Sequence, residues 1–307
     1  MRPAIRFTVL VALAGCSRGG EAPATDSVVL RPLSAALTSE AGGFRSPESA
    51  RYDPDLDVFY ISNMDGDPFE KDGRASIVIV PAESLSVMRV LAEGGRVGVT
   101  LNAPKGMTLI GDTLWVADID VVRGFHRRTG APVATIDLAG HGARFLNDLA
   151  TGPQGALYVT DTGLEPGGRM AAGRIFRISV RTVTEVARGE AFRGANGIAW
   201  QDTTGKWLLA PASGTAVKTW VEGDSLPADL VTGPGQYDGI EALRDGRILV
   251  SSWADSAVHL ITHGTMSTLI AGVSGPADIG YDLRRGVVAV PRLLEGKVSF
   301  FQLKAGP

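Results

Sequence analysis

The sequence is nearly devoid of cysteine. Its 307 residues include one, Cys16, so no intrachain disulfide is available and a packed core must hold the fold. It also lacks an excess of either charge: the formal net charge is −3, and no long run of one sign occurs. Nucleic acid is therefore not the expected partner, since phosphate binding needs a basic face. No apolar run is long enough to span a bilayer. Helical periodicity is absent over any long window. What remains is a glycine-rich chain, with 39 of them, whose apolar residues come in short alternating stretches divided by turns.

The first residues differ from the rest. Arg2 and Arg6 precede a short apolar run, Phe7 to Ala14, which reads as an export signal. The run ends in Leu13-Ala14-Gly15-Cys16, a pattern resembling the lipobox of bacterial lipoproteins, in which the cysteine is lipidated. An ordinary cleaved signal with a chance cysteine is the alternative. The small, polar stretch 17–26 reads as a tether, and 27–307 as one domain. The expected location is the periplasmic side of the envelope, with membrane contact through the lipid anchor only. Ser17 after the cysteine favours the outer membrane, by resemblance to lipoprotein sorting. Nothing in the sequence indicates oligomerisation.

Six segments of the remainder fall into register: "SPESARYDPDLDVFYISN", "APKGMTLIGDTLWVADID", "LNDLATGPQGALYVTDTG", "ANGIAWQDTTGKWLLA", "YDGIEALRDGRILVSSW" and "GPADIGYDLRRGVVAV". Each has a polar leader, a short apolar strand, a turn and a second strand. The leaders are Glu48, Lys105, Asn147, Asn196, Asp238 and Asp278, and Gly155, Gly246 and Gly286 each follow their leader by eight residues. Further strands lie between these pairs, giving about four strands in roughly forty residues, the size of a propeller blade. The expected fold is all-β: a six-bladed β-propeller with four-stranded blades. The last repeat is one strand short, and 27–37 is expected to supply it, because an unpaired edge would otherwise be exposed.

In a propeller the first strand of every blade lines the central channel. Glu48, Asn147, Asn196 and Asp238 would then meet at one mouth, and glycines beside them would let the strands crowd or adopt positive φ. Burying such groups is costly unless something binds them. One divalent cation would do so. Oxygen donors suit Ca²⁺ first, with Mg²⁺, Mn²⁺ or Zn²⁺ as alternatives.

These motifs resemble those of the senescence marker protein (regucalcin) and gluconolactonase family, with paraoxonases as more distant relatives. The matching pieces are Glu48 in "SPES", Asn147-Asp148 in "FLNDLA", Asn196 in "ANGIAW" and Asp238 in "YDGIEA". The resemblance implies a metal-dependent lactone or ester hydrolase. Glu48, Asn196 and Asp238 would hold the cation, Asn147 would be a ligand or substrate contact, and Asp238 would also be the catalytic acid/base. Arg144 approximates the family's substrate-binding arginine, although Leu146 is an extra residue between it and Asn147. Asp148 is placed with it among the substrate contacts.

Several residues carry two readings. Lys105 would either point into the channel, to bind an anionic substrate or replace the metal's charge, or turn to solvent. The loop "NMDGDPFEKDGRAS" would cover the mouth, and 161–173 is a lid or a surface loop. His141 is a base or a solvated side chain. Glu241 would support the metal ligands from behind, Asp278 would bond to neighbouring strand amides, and 53–57 would form the first hairpin turn. Trp115, Trp200, Trp207 and Trp253 would pack between blades. A non-catalytic propeller that binds a ligand or protein is the alternative function, and it would not need the Glu48, Asn147, Asn196 and Asp238 quartet.

Overall fold

The alternating stretches become strands. The structure is a computed structural model describing residues 30–306 except 87 and 181, so Cys16, the signal and the tether lie outside the described residues. Arg31–Pro307 forms one unit of six four-stranded antiparallel sheets. Among the described residues, helix is confined to four single turns of 3-10 type. This is the expected six-bladed propeller. The inner strands are Pro47–Asp53, Pro104–Ile110, Leu146–Thr151, Ala195–Gln201, Tyr237–Ala242 and Gly280–Asp282; the first five pack in succession, the sixth packs on the first, and the fifth meets the sixth blade at Asp278 and Ile279, just before its strand.

The ring closes as expected, with shifted bounds. Leu33–Gly42 pairs antiparallel with Lys297–Ala305 and is the outermost strand of the sixth sheet. It starts after Pro32, which has no N–H to give a ladder, and runs past residue 37 to Gly42. A register shift lies between Leu37 and Ser39. Across the closure, Phe59 of the first blade and Phe300 of the last are fully buried, with ring centroids 5.5 Å apart. Phe300→Ala should therefore cost about 3–5 kcal/mol. Thermal unfolding should show a fall in Tm of about 10 °C.

Crowding, and not positive φ, explains the glycines after the leaders. Gly106, Gly197 and Gly239 are outside the left-handed region. A Cβ on Gly106 would lie 2.2 Å from Asp148 Oδ1. On Gly197 it would lie 2.2 Å from the Asp238 carbonyl oxygen, and on Gly239 it would lie 2.6 Å from Asp278 Cα. Each glycine lets the next blade's main chain come close to the axis.

The sixth repeat is displaced by one residue from the expected alignment. Asp278 pairs in parallel with Ser49, not with Glu48. Ala277 holds the leading position: its carbonyl accepts from the Ser251 hydroxyl at 2.8 Å, as the Asn196 carbonyl accepts from Thr160. A one-residue slip on a strand turns the side chain to the other face. Asp278 accordingly accepts a 2.5 Å hydrogen bond from the Ser49 hydroxyl, not from strand amides, and its Oδ1 has no partner. Residues 53–57 form the expected hairpin turn, in which Asp53 Oδ1 accepts from the amides of Asp55 and Leu56.

Candidate functional site

Five leaders occupy the same place, second in their inner strands: Glu48, Lys105, Asn147, Asn196 and Asp238. All five are buried. Asn147, Asn196 and Asp238 line one cleft of about 340 Å³. Three leader oxygens are buried without a hydrogen-bond partner: Asn196 Oδ1 and Asp238 Oδ1 in the cleft, and Glu48 Oε2, whose residue does not line it. Native interiors seldom leave polar groups in this state, so each orphan asks for a ligand or a proton.

The electrostatics agree. Burial pushes the Asp238 carboxyl up to about 7, Asp278 adds to the rise, and the Trp253 indole and the nearby Asn196 side chain oppose it. Glu48 is held well above the usual carboxylate range by burial and then by Asp238, while Lys105 pulls the other way. Glu48 and Asp238 therefore act as neighbours in one low-dielectric space.

Trp253 was expected to be packing. Instead its indole Nε1–H donates to Asp238 Oδ2 at 2.9 Å, which fixes one carboxylate oxygen and leaves the other free. The hairpin pairing of Tyr237 with Ser252 puts Trp253 beside the leader, a signal present in the register of the two strands. The other tryptophans fit the expectation better. Trp207 packs against Tyr158 across a blade boundary, with ring centroids 4.1 Å apart, and lies 5.1 Å from Trp200.

Lys105 is turned inward, not to solvent. Its Nζ donates to the Ala103 carbonyl at 3.1 Å and lies 4.3 Å from the Phe145 ring centroid. Burial lowers its pKa, against the raising effect of Glu48 and Asp118. Phe145 lines the cleft and Lys105 does not. The loop between Asn63 and Ser76 brings Phe69 to 4.9 Å from Phe145, beside this mouth, but contributes no residue to the lining of the cleft. The 161–173 stretch contributes Thr162, Leu164 and Met170 to the cleft, and so forms a wall.

Two expected substrate contacts, Arg144 and Asp148, are engaged elsewhere, and His141 takes the solvated alternative. Arg144 is 57% exposed and paired with Glu165. The extra Leu146 offers a reason, since adding a residue changes the facing of what precedes it. Asp148 is a strut between blades: its Oδ2 accepts from the Ile198 amide at 2.9 Å and its Oδ1 from the Leu149 amide. Its carboxyl is held well above the usual range by burial and by Asp278. His141 is exposed and does not line the cleft.

Glu241 stands further along its strand, away from the ligands it was expected to support. It pairs with Arg51 at 2.9 Å, at a second cleft of about 340 Å³ around the far ends of the inner strands. Burial pushes Glu241 up to about 7, with Arg51 opposing. The two charges offset each other there, whereas the first cleft holds unpaired oxygens.

Among the described residues, no three His, Cys, Asp or Glu side chains gather as a metal-binding group. The quartet itself contains two carboxylates, and its carboxamide oxygens would have to complete a donor set. Three orphaned oxygens, all hard donors, fit a divalent cation of the Ca²⁺ type.

No protein-family model and no curated protein matches this sequence. Solved structures do resemble it. One is a gluconolactonase from Xanthomonas campestris, 15% identical, with a TM-score of 0.65 over 86% of this chain and 88% of that one. A luciferin-regenerating enzyme is also 15% identical, with a TM-score of 0.68 over 89% and 95% of the two chains. A streptogramin B lyase is 13% identical, with a TM-score of 0.57 over 89% and 98%. At these identities the likeness is one of fold. The three names describe different chemistries, so the side chains at the mouth must carry any functional argument.

Proposed function

We propose that the protein hydrolyses a lactone or related ester at this mouth, using one divalent cation. Ca²⁺ fits the donors best, with Mg²⁺, Mn²⁺ or Zn²⁺ as alternatives. Glu48, Asn147, Asn196 and Asp238 would hold it. The observation carrying the proposal is the set of orphaned oxygens on Glu48, Asn196 and Asp238. The fold shared with a gluconolactonase supports it. When bound, the cation supplies Lewis-acid polarisation of the ester carbonyl.

Asp238 has the other role. Its Oδ1 is buried without a hydrogen-bond partner, and it would serve as the acid/base, the role the resemblance implies. It would take a proton from the attacking water and deliver it to the departing alkoxide oxygen as the carbonyl–oxygen bond breaks. Trp253 keeps Oδ2 in place during both transfers. Asn147 and Asn196 would orient the carbonyl. We also propose lipid anchoring through Cys16 on the periplasmic side of the outer membrane, testable by labelling with a fatty acid and by its loss in Cys16→Ala.

A binding role without hydrolysis has one observation in its favour, the Lys105 charge felt by Glu48. Metal content and melting separate the two. The folded protein retains protons on Asp238 and Asp278 up to about 7 and about 6, where unfolded carboxyls have released theirs. The native state then binds more protons, and its stability falls as pH rises through roughly 4 to 7. Chelated protein should melt lower at pH 7.5 than at pH 5. Saturating Ca²⁺ at pH 7.5 should restore several degrees. Purified protein with no bound cation and an unchanged melting curve would remove the metal from the proposal.

A further inference from the structure

We infer that the substrate carries an apolar arm, alkyl or aryl, and is not a polyhydroxylated sugar lactone. The inference rests on the hydrolase reading for its reacting group and on the cleft's own walls for its arm. Around the polar floor of Asn147, Asn196 and Asp238, the cleft is walled by Phe145, Leu164, Met170, Ala212 and Trp253. Its volume of about 340 Å³ lies within the range of small-ligand pockets, on the order of 300–1,000 Å³.

Beyond the polar floor, groups that would recognise hydroxyls are few. Thr162 also lines the cleft, but its hydroxyl donates to the Ala195 carbonyl at 2.9 Å. Lys105 is not in the wall, and Arg144 is drawn off to Glu165, which also takes Arg169. Gln236 is the remaining polar side chain in the lining. A sugar ring entering this cleft would exchange water for apolar surface at most of its hydroxyls, and each hydroxyl left without a partner weakens binding. An alkyl or aryl arm loses nothing and gains burial.

The wall is built in advance. Leu164 and Met170 face each other across a bridge in the 161–173 loop. The Ala171 amide donates to the Gly163 carbonyl at 2.8 Å, and the Glu165 amide donates to the Arg169 carbonyl at 2.8 Å. Arg193 Nη2 holds the Met170 carbonyl at 2.9 Å. The two side chains therefore stand over the floor without an ordering step, and a preformed apolar surface rewards an apolar ligand most.

Three lactones sharing one six-membered ring test this: δ-valerolactone, δ-decanolactone with its pentyl arm, and glucono-δ-lactone. The expected order of kcat/KM puts δ-decanolactone at least about tenfold above δ-valerolactone, with glucono-δ-lactone lowest. Met170→Ser and Leu164→Ser should each narrow the first ratio. Glucono-δ-lactone turned over faster than δ-decanolactone overturns the inference. Calorimetry with the corresponding lactams, which resist hydrolysis, reads the wall independently of turnover. Tighter binding of the pentyl lactam than of the bare ring supports the inference even where no lactone is cleaved, a result that sinks the hydrolase reading alone. Equal or weaker binding of the pentyl lactam sinks the inference itself.

Discussion

Asp238→Asn should reduce lactone hydrolysis by about 10²–10⁴-fold, the range lost with a general acid/base. The same change should raise the melting temperature of chelated protein at pH 7.5. The shift of Asp238 from 3.8 to about 7 means that the folded state pays to ionise this carboxyl. Each unit is worth about 1.4 kcal/mol, and the cost is partly shared with Glu48, so a gain on the order of 2 kcal/mol is expected. Asparagine keeps an oxygen for the Trp253 indole and removes the charge. Opposite signs for activity and stability mark a group retained for chemistry, a pattern that a merely structural carboxylate would not give. Unchanged hydrolysis in this variant would contradict the assignment of Asp238 as acid/base.

Gly197→Ala should have the second large effect. The new Cβ would lie 2.2 Å from the Asp238 carbonyl oxygen, a main-chain atom that cannot swing aside as a flexible side chain can. The blades would have to separate, at a cost of about 3 kcal/mol or more. Because the displaced strand carries Asp238, hydrolysis should fall with stability. Urea unfolding and the δ-lactone assay on one preparation check both. A control at Gly205 should be nearly silent in the assay: it sits in a turn with no atom within 4 Å of an added Cβ, although its φ of 65° makes alanine somewhat strained there.

Much of the fold was legible because a propeller blade writes itself locally. Polar leader, apolar strand, turn and partner strand recur in the sequence, and the observed inner strands begin one residue before five of the six leaders. The sixth was misread by one position. "ADIG" offers an aspartate where the other repeats show a leader, and only the parallel pairing of Ser49 with Asp278 reveals the slip. The closing strand was legible from the missing edge, but its bounds depended on Pro32 and on the length of its partner.

The site divides in the same way. Residue types at the leading positions were readable in order: Glu48, Lys105, Asn147, Asn196 and Asp238. Their surroundings were not. Arg144 sits two residues before the inner strand and looks available, yet Glu165 in the following loop takes it. Lys105 could have faced either way until Ala103 and Phe145 gave its ammonium partners inside. Glu241 is three residues from Asp238 and seemed its natural support, but along a strand that separation is about 10 Å and reaches Arg51.

By itself, then, the sequence determined the number of blades, the circular closure and the identity of five of the six side chains presented to the axis, because these follow from short-range alternation and turn chemistry. The tertiary structure decided which oxygens are left without partners, which charges are already paired and which walls are apolar. Those properties arise where residues from different blades meet, and a linear pattern carries no record of the distances between them.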